Sequence, residues 1–175
     1  MREPSERLEA HSRRLVFCGW TSPVSVATEV LFYHLDNHPL ERVLPSLVER
    51  TLERGWRAVV QAGSSERLEA IDTLLWTWKE ESFLAHGTLR DGYAEHQPVF
   101  LTTDDSNPNG AAVRFLVDGA ALETFDGYVR VVVLFDGADS DALTTARRQW
   151  KAVKAASLPA TYWQQTESGR WEKRA

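Results

Sequence analysis

Three stretches of this chain are apolar with hardly a break: EVLFYHL (29–35), WRAVVQA (56–62) and YVRVVVLFDG (128–137). A strand with one wet face alternates apolar and polar residues. Consecutive β-branched and aliphatic residues instead mark strands buried on both faces, the signature of a parallel sheet covered by helices. The segments between them carry the other period. In HPLERVLPSLVERTLERG, residues Leu40, Val43, Leu44, Leu47, Val48 and Leu52 fall on one helical face. Pro39 suits the start of that helix and Gly55 the position past its end, while Pro45 disturbs it slightly. Ser64 or Ser65 caps a second helix, SERLEAIDTLLWTW, with Leu68, Ile71, Leu74 and Leu75 on its apolar face. PVFLTT and AAVRFLVDG read as strands separated by the turn-rich DDSNPNG. The stretch ALTTARRQWKAVKAA reads as a third helix, ATYWQQ as a last strand, and ESGRWEKRA as a turn plus a tail. Strands that alternate with helices in this way predict an α/β fold: a doubly wound, mostly parallel sheet with helices on both faces.

A chain of 175 residues, 43% hydrophobic, has the size and composition of one globular domain. Residues 1–27 are polar and broken by Thr21-Ser22-Pro23, so they read as a poorly ordered appendage to a domain spanning 28–175, and Val26 is a candidate alternative start. The stretch KEESFLAHGTLRDGYAEHQ lacks periodicity and reads as a loop of about twenty residues, a length often tied to function. The single cysteine, Cys18, excludes an internal disulfide and a cysteine-based zinc site, and fits a reducing cytoplasm. No apolar run reaches the ~18 residues of a membrane helix. A net charge of -5 argues against broad non-specific DNA binding but leaves room for a local basic patch. Seven tryptophans are many for this length: either core fillers or partly exposed contact surface.

Catalytic signatures are missing. There is no G-x-x-x-x-G-K-[ST], no G-x-G-x-x-G and no G-x-S-x-G. Gly63, Ser64 and Ser65 stand at a strand-to-helix turn that could hold an anion, but capping explains them more simply. Asp118 and Asp136 each precede a glycine and read as turn residues. His34, Asp36 and His38 straddle a strand-to-helix junction, so their side chains need not converge on a metal. His86 and His96 have no partner at diagnostic spacing. No cofactor, metal or intrinsic catalysis is expected.

The third helix is where an acidic protein gathers cations. On a helical wheel Ala142, Ala146, Trp150 and Val153 form an apolar stripe, with Leu143 at its edge. Arg147, Lys151 and Lys154 follow immediately beyond, and Arg148 adds a fourth charge. Arg147 and Lys151 are like charges at i, i+4, which costs an isolated helix about a few tenths of a kcal/mol. The helix dipole accounts in part for Lys151 and Lys154, and less for Arg147. Two readings stay open: a solvated face beside a core tryptophan, or a docking site for a ligand with an apolar end and a carboxylate, such as an acidic peptide C-terminus.

From about Glu29 to Ala175 the chain resembles the chi subunit family of bacterial DNA polymerase III. The resemblance rests on FYHL (32–35), LERGWR (52–57), RLEAIDTLLWTW with ESFLAHG (67–87), PVFLTT (98–103), PNGA (108–111), RVVVLFDG (130–137) and RRQWKAVKAA (147–156), and TYWQQTESGRWEKRA (161–175) is similar to the ending of the alphaproteobacterial branch. The resemblance implies a nucleotide-binding-like fold without nucleotide chemistry. It also implies a non-catalytic clamp-loader accessory subunit at the replisome. Its implied partners are the acidic, Phe-terminated C-terminal tail of single-stranded-DNA-binding protein and the clamp loader, the latter through a psi-like subunit; DNA is met mainly indirectly. The implied tail site is Arg147 and Trp150 with Phe83 from the loop and Trp76 nearby, supported by Leu143, Lys151, Arg148 and Lys154. Two departures shift its charge: Leu143 stands where the family has a lysine, and Asp136 where it has an apolar residue. Other function classes are a nucleotide-using α/β enzyme and a direct single-stranded DNA binder working through exposed tryptophans and the basic helix.

Overall fold

The computed structural model describes residues 27–79 and 81–175. The reading of residues 1–27 as an appendage falls, up to residue 26, outside the described residues. In chain order the elements are β1 (Glu29–Leu35), α1 (Leu40–Glu53), β2 (Ala58–Ala62), α2 (Ser65–Trp76), β3 (His86–Gly87), β4 (Val99–Thr102), β5 (Val113–Val117), β6 (Arg130–Asp136), α3 (Ser140–Ala155), β7 (Ala160–Gln165) and β8 (Trp171–Lys173). The strands form one eight-stranded sheet in the order β3-β4-β2-β5-β6-β1-β7-β8. All neighbouring pairs are parallel except β7 with β8. This is the α/β architecture that the uninterrupted apolar runs predict.

Alternation along the strands sorts the core into two layers. Val132 and Leu134 of β6 join Leu31 of β1, Val60 of β2 and Phe115 of β5 beneath α1 and α2, where Val43, Leu44, Val48, Ile71 and Leu75 are buried. Val131, Val133 and Phe135 point the other way and meet Val30, Phe32, Ala146 and Val153 beneath α3. The helices therefore lie on opposite faces of the sheet, α1 and α2 on one and α3 on the other. Pro45 sits buried inside α1, which continues through it.

Two expectations about irregular sequence need correction. The tail ESGRWEKRA contributes β8: Gly169 N–H donates to the Thr166 carbonyl at 2.8 Å, and the turn returns Trp171–Lys173 antiparallel to β7. Three residues are too few to show a period. The long loop after α2 likewise carries the two-residue edge strand β3, paired with β4.

Gly63 is explained by close approach. A Cβ there would lie 1.9 Å from the Asp118 carbonyl oxygen, where the β2–α2 turn crosses the end of β5. Ser64 caps α2 by accepting from Arg67 N–H at 3.3 Å. Neither residue is left over for an anion.

Candidate functional site: an aromatic groove with a cationic rim on the third helix

Asp139 starts α3 by accepting from Asp141 N–H at 2.8 Å and Ala142 N–H at 3.2 Å. Ala146, Gln149 and Val153 face the sheet and are buried. Trp150 falls at the seam, half-buried. Its ring packs edge-on against fully buried Phe32 at 5.1 Å and against Tyr162 of β7 at 6.0 Å. Beside it opens a groove of about 490 Å³ lined by His34, Phe135, Leu143, Ala146, Arg147, Trp150, Lys151, Tyr162 and Ala175.

The groove has an apolar floor and a basic rim. Phe135, Tyr162 and Trp150 supply rings, Leu143 and Ala146 aliphatic surface. Arg147 and Lys151 are exposed and, among the described residues, ion-paired to no acid. Burial, reinforced by the Asp36 carboxylate, holds the Tyr162 phenol above its ordinary range, while the Arg147 guanidinium opposes the shift. At neutral pH Tyr162 is therefore an uncharged hydroxyl, 2.8 Å from His34 Nδ1. His34 Nε2 lies 3.1 Å from Asp36 Oδ1, at ion-pair distance but without hydrogen-bond alignment. Gly137 makes room for that pair, since a Cβ on it would fall 1.9 Å from His34 Nε2.

The expected site residues divide into two groups. Arg147, Trp150, Leu143 and Lys151 come together at the groove. Lys154 reaches its margin, with Nζ 5.7 Å from the Trp150 ring centre. Arg148 is about 100° further round the helix from Arg147 and does not line the groove. Phe83 and Trp76 do not belong to this site, which corrects the expectation that they join Arg147 and Trp150. They pair with each other, ring centres 5.7 Å apart, on a separate surface shared with Thr77, Lys79, Glu81 and Ser82. The cause is topological. α2 delivers them to the β3–β4 end on its own face, whereas α3 lies on the opposite face. From β4 to β1 is four strand spacings, roughly 19 Å.

Sequence reasoning missed the walls that replace Phe83, namely His34, Phe135 and Tyr162. Phe32 and His34 share one face of β1, and the β1–β7 register sets Phe32 opposite Tyr162. Alternation pointed to the face, but only the strand order could show which strands meet there.

A second cleft, about 630 Å³, lies at the carboxyl ends of β1 and β6, where α/β enzymes hold nucleotides. Its lining includes Asp36, Glu41, Asp118, Asp136, Asp139 and Asp141 against Arg67, which is itself paired with Glu41 and Asp118. That charge has the wrong sign for phosphate, and the N-terminal amides of α3 are occupied by Asp139. Asp136 behaves as a turn residue, its Oδ1 accepting from Ala138 N–H at 2.8 Å. Among the described residues no three His, Cys, Asp or Glu side chains converge as a metal-ligand set, and no helix is long and apolar enough to cross a membrane.

With that geometry in hand, comparison with known proteins is decisive about kinship. A family model of the DNA polymerase III chi subunit, HolC, matches residues 27–161. The chain belongs to the DNA polymerase III chi subunit family. A curated relative in Rickettsia prowazekii (strain Madrid E), described as a probable DNA polymerase III subunit chi, is 26% identical over 102 residues. That alignment takes in 57% of this chain and 62% of the relative, so the chain spans less than two thirds of the relative's length. The chi match contains all of α3, with Arg147 and Trp150, and ends one residue before Tyr162.

Proposed function

We propose that this protein is a non-catalytic accessory subunit of a bacterial DNA polymerase III holoenzyme, working in the cytoplasm at the replisome. In this role it captures the acidic, Phe-terminated C-terminal tail of single-stranded-DNA-binding protein in the α3 groove. The supporting observation is the pairing of a ring-lined groove with Arg147 and Lys151 at its rim. The terminal phenylalanine seats between Trp150, Phe135 and Leu143, a burial that contributes roughly 1.5–3 kcal/mol. Its carboxylate pairs with Arg147, whose planar fork suits two parallel hydrogen bonds. Lys151, Lys154 and Arg148 attract upstream acidic residues and act mainly on association rate, with salt screening them. A site of this size corresponds to micromolar affinity, about -8 kcal/mol.

The Trp76–Phe83 surface supports the adaptor reading. Trp76 is 58% and Phe83 71% exposed, an aromatic pair on the face opposite the groove. We assign it to the clamp-loader side, direct or through a psi-like subunit, so that both partners bind at once. A pull-down tests the reading. The protein retains intact single-stranded-DNA-binding protein and loses it when the partner's last few residues are removed; retention of the truncated partner contradicts it.

A further inference from the structure

The face bearing α1 and α2 ends in a margin, β1, β7 and β8, where Tyr33 and Trp171 pack against the core yet stay partly exposed. α1 packs onto β2 and β6, and α2 onto β2, β3 and β4. At the other end Tyr33 of β1 stands opposite Trp163 of β7, and Trp163 opposite Lys173 of β8, so these side chains share one face. Trp171, two residues from Lys173, lies on it too. The Tyr33 and Trp163 rings are stacked, their planes nearly parallel at 16° with centres at 6.5 Å. Trp171 meets Tyr33 edge-on at 4.8 Å. All three rings are half-buried.

Arginines lie beside Tyr33, and Lys173 lies beside Trp163. Arg50 and Arg54, on the last turn of α1 and just past it, are exposed and border with Tyr33, Trp56 and Arg130 a small hollow between helix and sheet. The Arg54 guanidinium lies 5.7 Å from the Trp56 ring centre. Arg130 is held by Glu29, with Nε donating at 2.8 Å. Arg50 and Arg54 make no ion pair among the described residues. Burial raises the Tyr33 phenol above its ordinary range, helped by Glu29, while Arg130, Arg50 and Arg54 oppose the shift. The acid of β8, Glu172, is turned to the other face and bound to Arg174 at 3.2 Å.

We propose that this strip is a platform for single-stranded nucleic acid, with unpaired bases stacking on Trp163 and its neighbouring rings and phosphates following Arg50, Arg54 and Lys173. Unstacked bases offer π faces to any aromatic ring, and the regularly charged backbone suits separated point cations. A duplex hides those base faces. An acidic peptide could meet the cations but has no run of planar groups for adjacent rings. The strip is on the opposite face from the α3 groove and does not depend on it. The overall charge of -5 makes binding weak and sensitive to salt.

The test is fluorescence anisotropy with the full chain and a labelled oligothymidylate of about 15 nucleotides at low salt. Binding is expected, with Trp163→Ala weakening it about tenfold and Trp163→Phe restoring most of the loss. Arg50→Glu with Arg54→Glu lowers the salt slope by about two. Both are exposed, so an unchanged melting midpoint shows that the charge reversal leaves the fold intact. Arg147→Ala with Lys151→Ala keeps the oligonucleotide while losing the tail peptide, which separates failure of this platform from failure of the groove. The proposal is overturned by no binding at low salt, by unchanged affinity in both strip variants, by loss on the Arg147/Lys151 change, or by an acidic peptide occupying the strip where DNA does not.

Discussion

Arg147 and Trp150 divide the work of the groove by where they sit on α3. Trp150 is fixed on both sides by Phe32 and Tyr162, so its ring is pre-set before any ligand arrives. Arg147 is exposed, and in the proposed complex a carboxylate would order it. Trp150→Ala and Arg147→Ala should each weaken tail binding by roughly 1 kcal/mol or more in calorimetry. Only Trp150→Ala should also lower the melting temperature, because only that ring packs on the core. Gly137 acts one layer back. Gly137→Ala forces His34 and Asp36 aside, and overpacking of this kind costs about 1–3 kcal/mol of stability, read by chemical denaturation. An unchanged midpoint would show that the His34 wall yields freely.

Among the elements, the loop between β4 and β5 depends on a buried charge. Arg114 of β5 is fully buried, its Nε donating to the Tyr128 hydroxyl at 2.8 Å and Nη1 to Gln61 Oε1 at 2.6 Å. It also donates to the carbonyls of Asp104 and Asp105, at 3.2 and 3.0 Å. Arg114→Met strands the buried Gln61 and Tyr128 oxygens, and a loss of about 3 kcal/mol is expected by denaturant titration. Several carboxylates on helices and loops are held low and contribute to the fold's acid sensitivity, Glu41 and Glu66 among them. Glu49 is held below its usual range by Lys79 and Ser82, Asp91 by the Thr88 backbone and hydroxyl, and Asp104 by Ser106 and Thr102. Groups with depressed folded values stabilise fully above their unfolded values, near pH 4, and lose that contribution as pH falls through the folded values. The melting midpoint should therefore hold from neutrality to about pH 5 and fall below about pH 4; a midpoint that rises on acidification contradicts this. The long elements were legible because their periods run for several turns or several residues of strand. β3 and β8, of two and three residues, are too short for a period and owe their form to strands already in place.

At the scale of the whole molecule, residue content and residue placement separated. The sequence pattern marked α3 as apolar on one side and cationic beside it, and the groove lies there. The family resemblance added Phe83 and Trp76 to that site, but not the sheet face that receives them. That face depends on strand order, with β4, β2, β5 and β6 between them and β1. Sequence proximity carries no information about such crossovers. The consequence is a domain with distinct aromatic surfaces on opposite faces, an arrangement suited to joining partners. Calorimetry of the full chain with two peptides tests the central claim most directly: an acidic tail ending in phenylalanine, and the same tail without that residue. Binding at about micromolar affinity that drops at least tenfold on removing the terminal phenylalanine is the predicted result; equal heats for both peptides, or none for either, would contradict it.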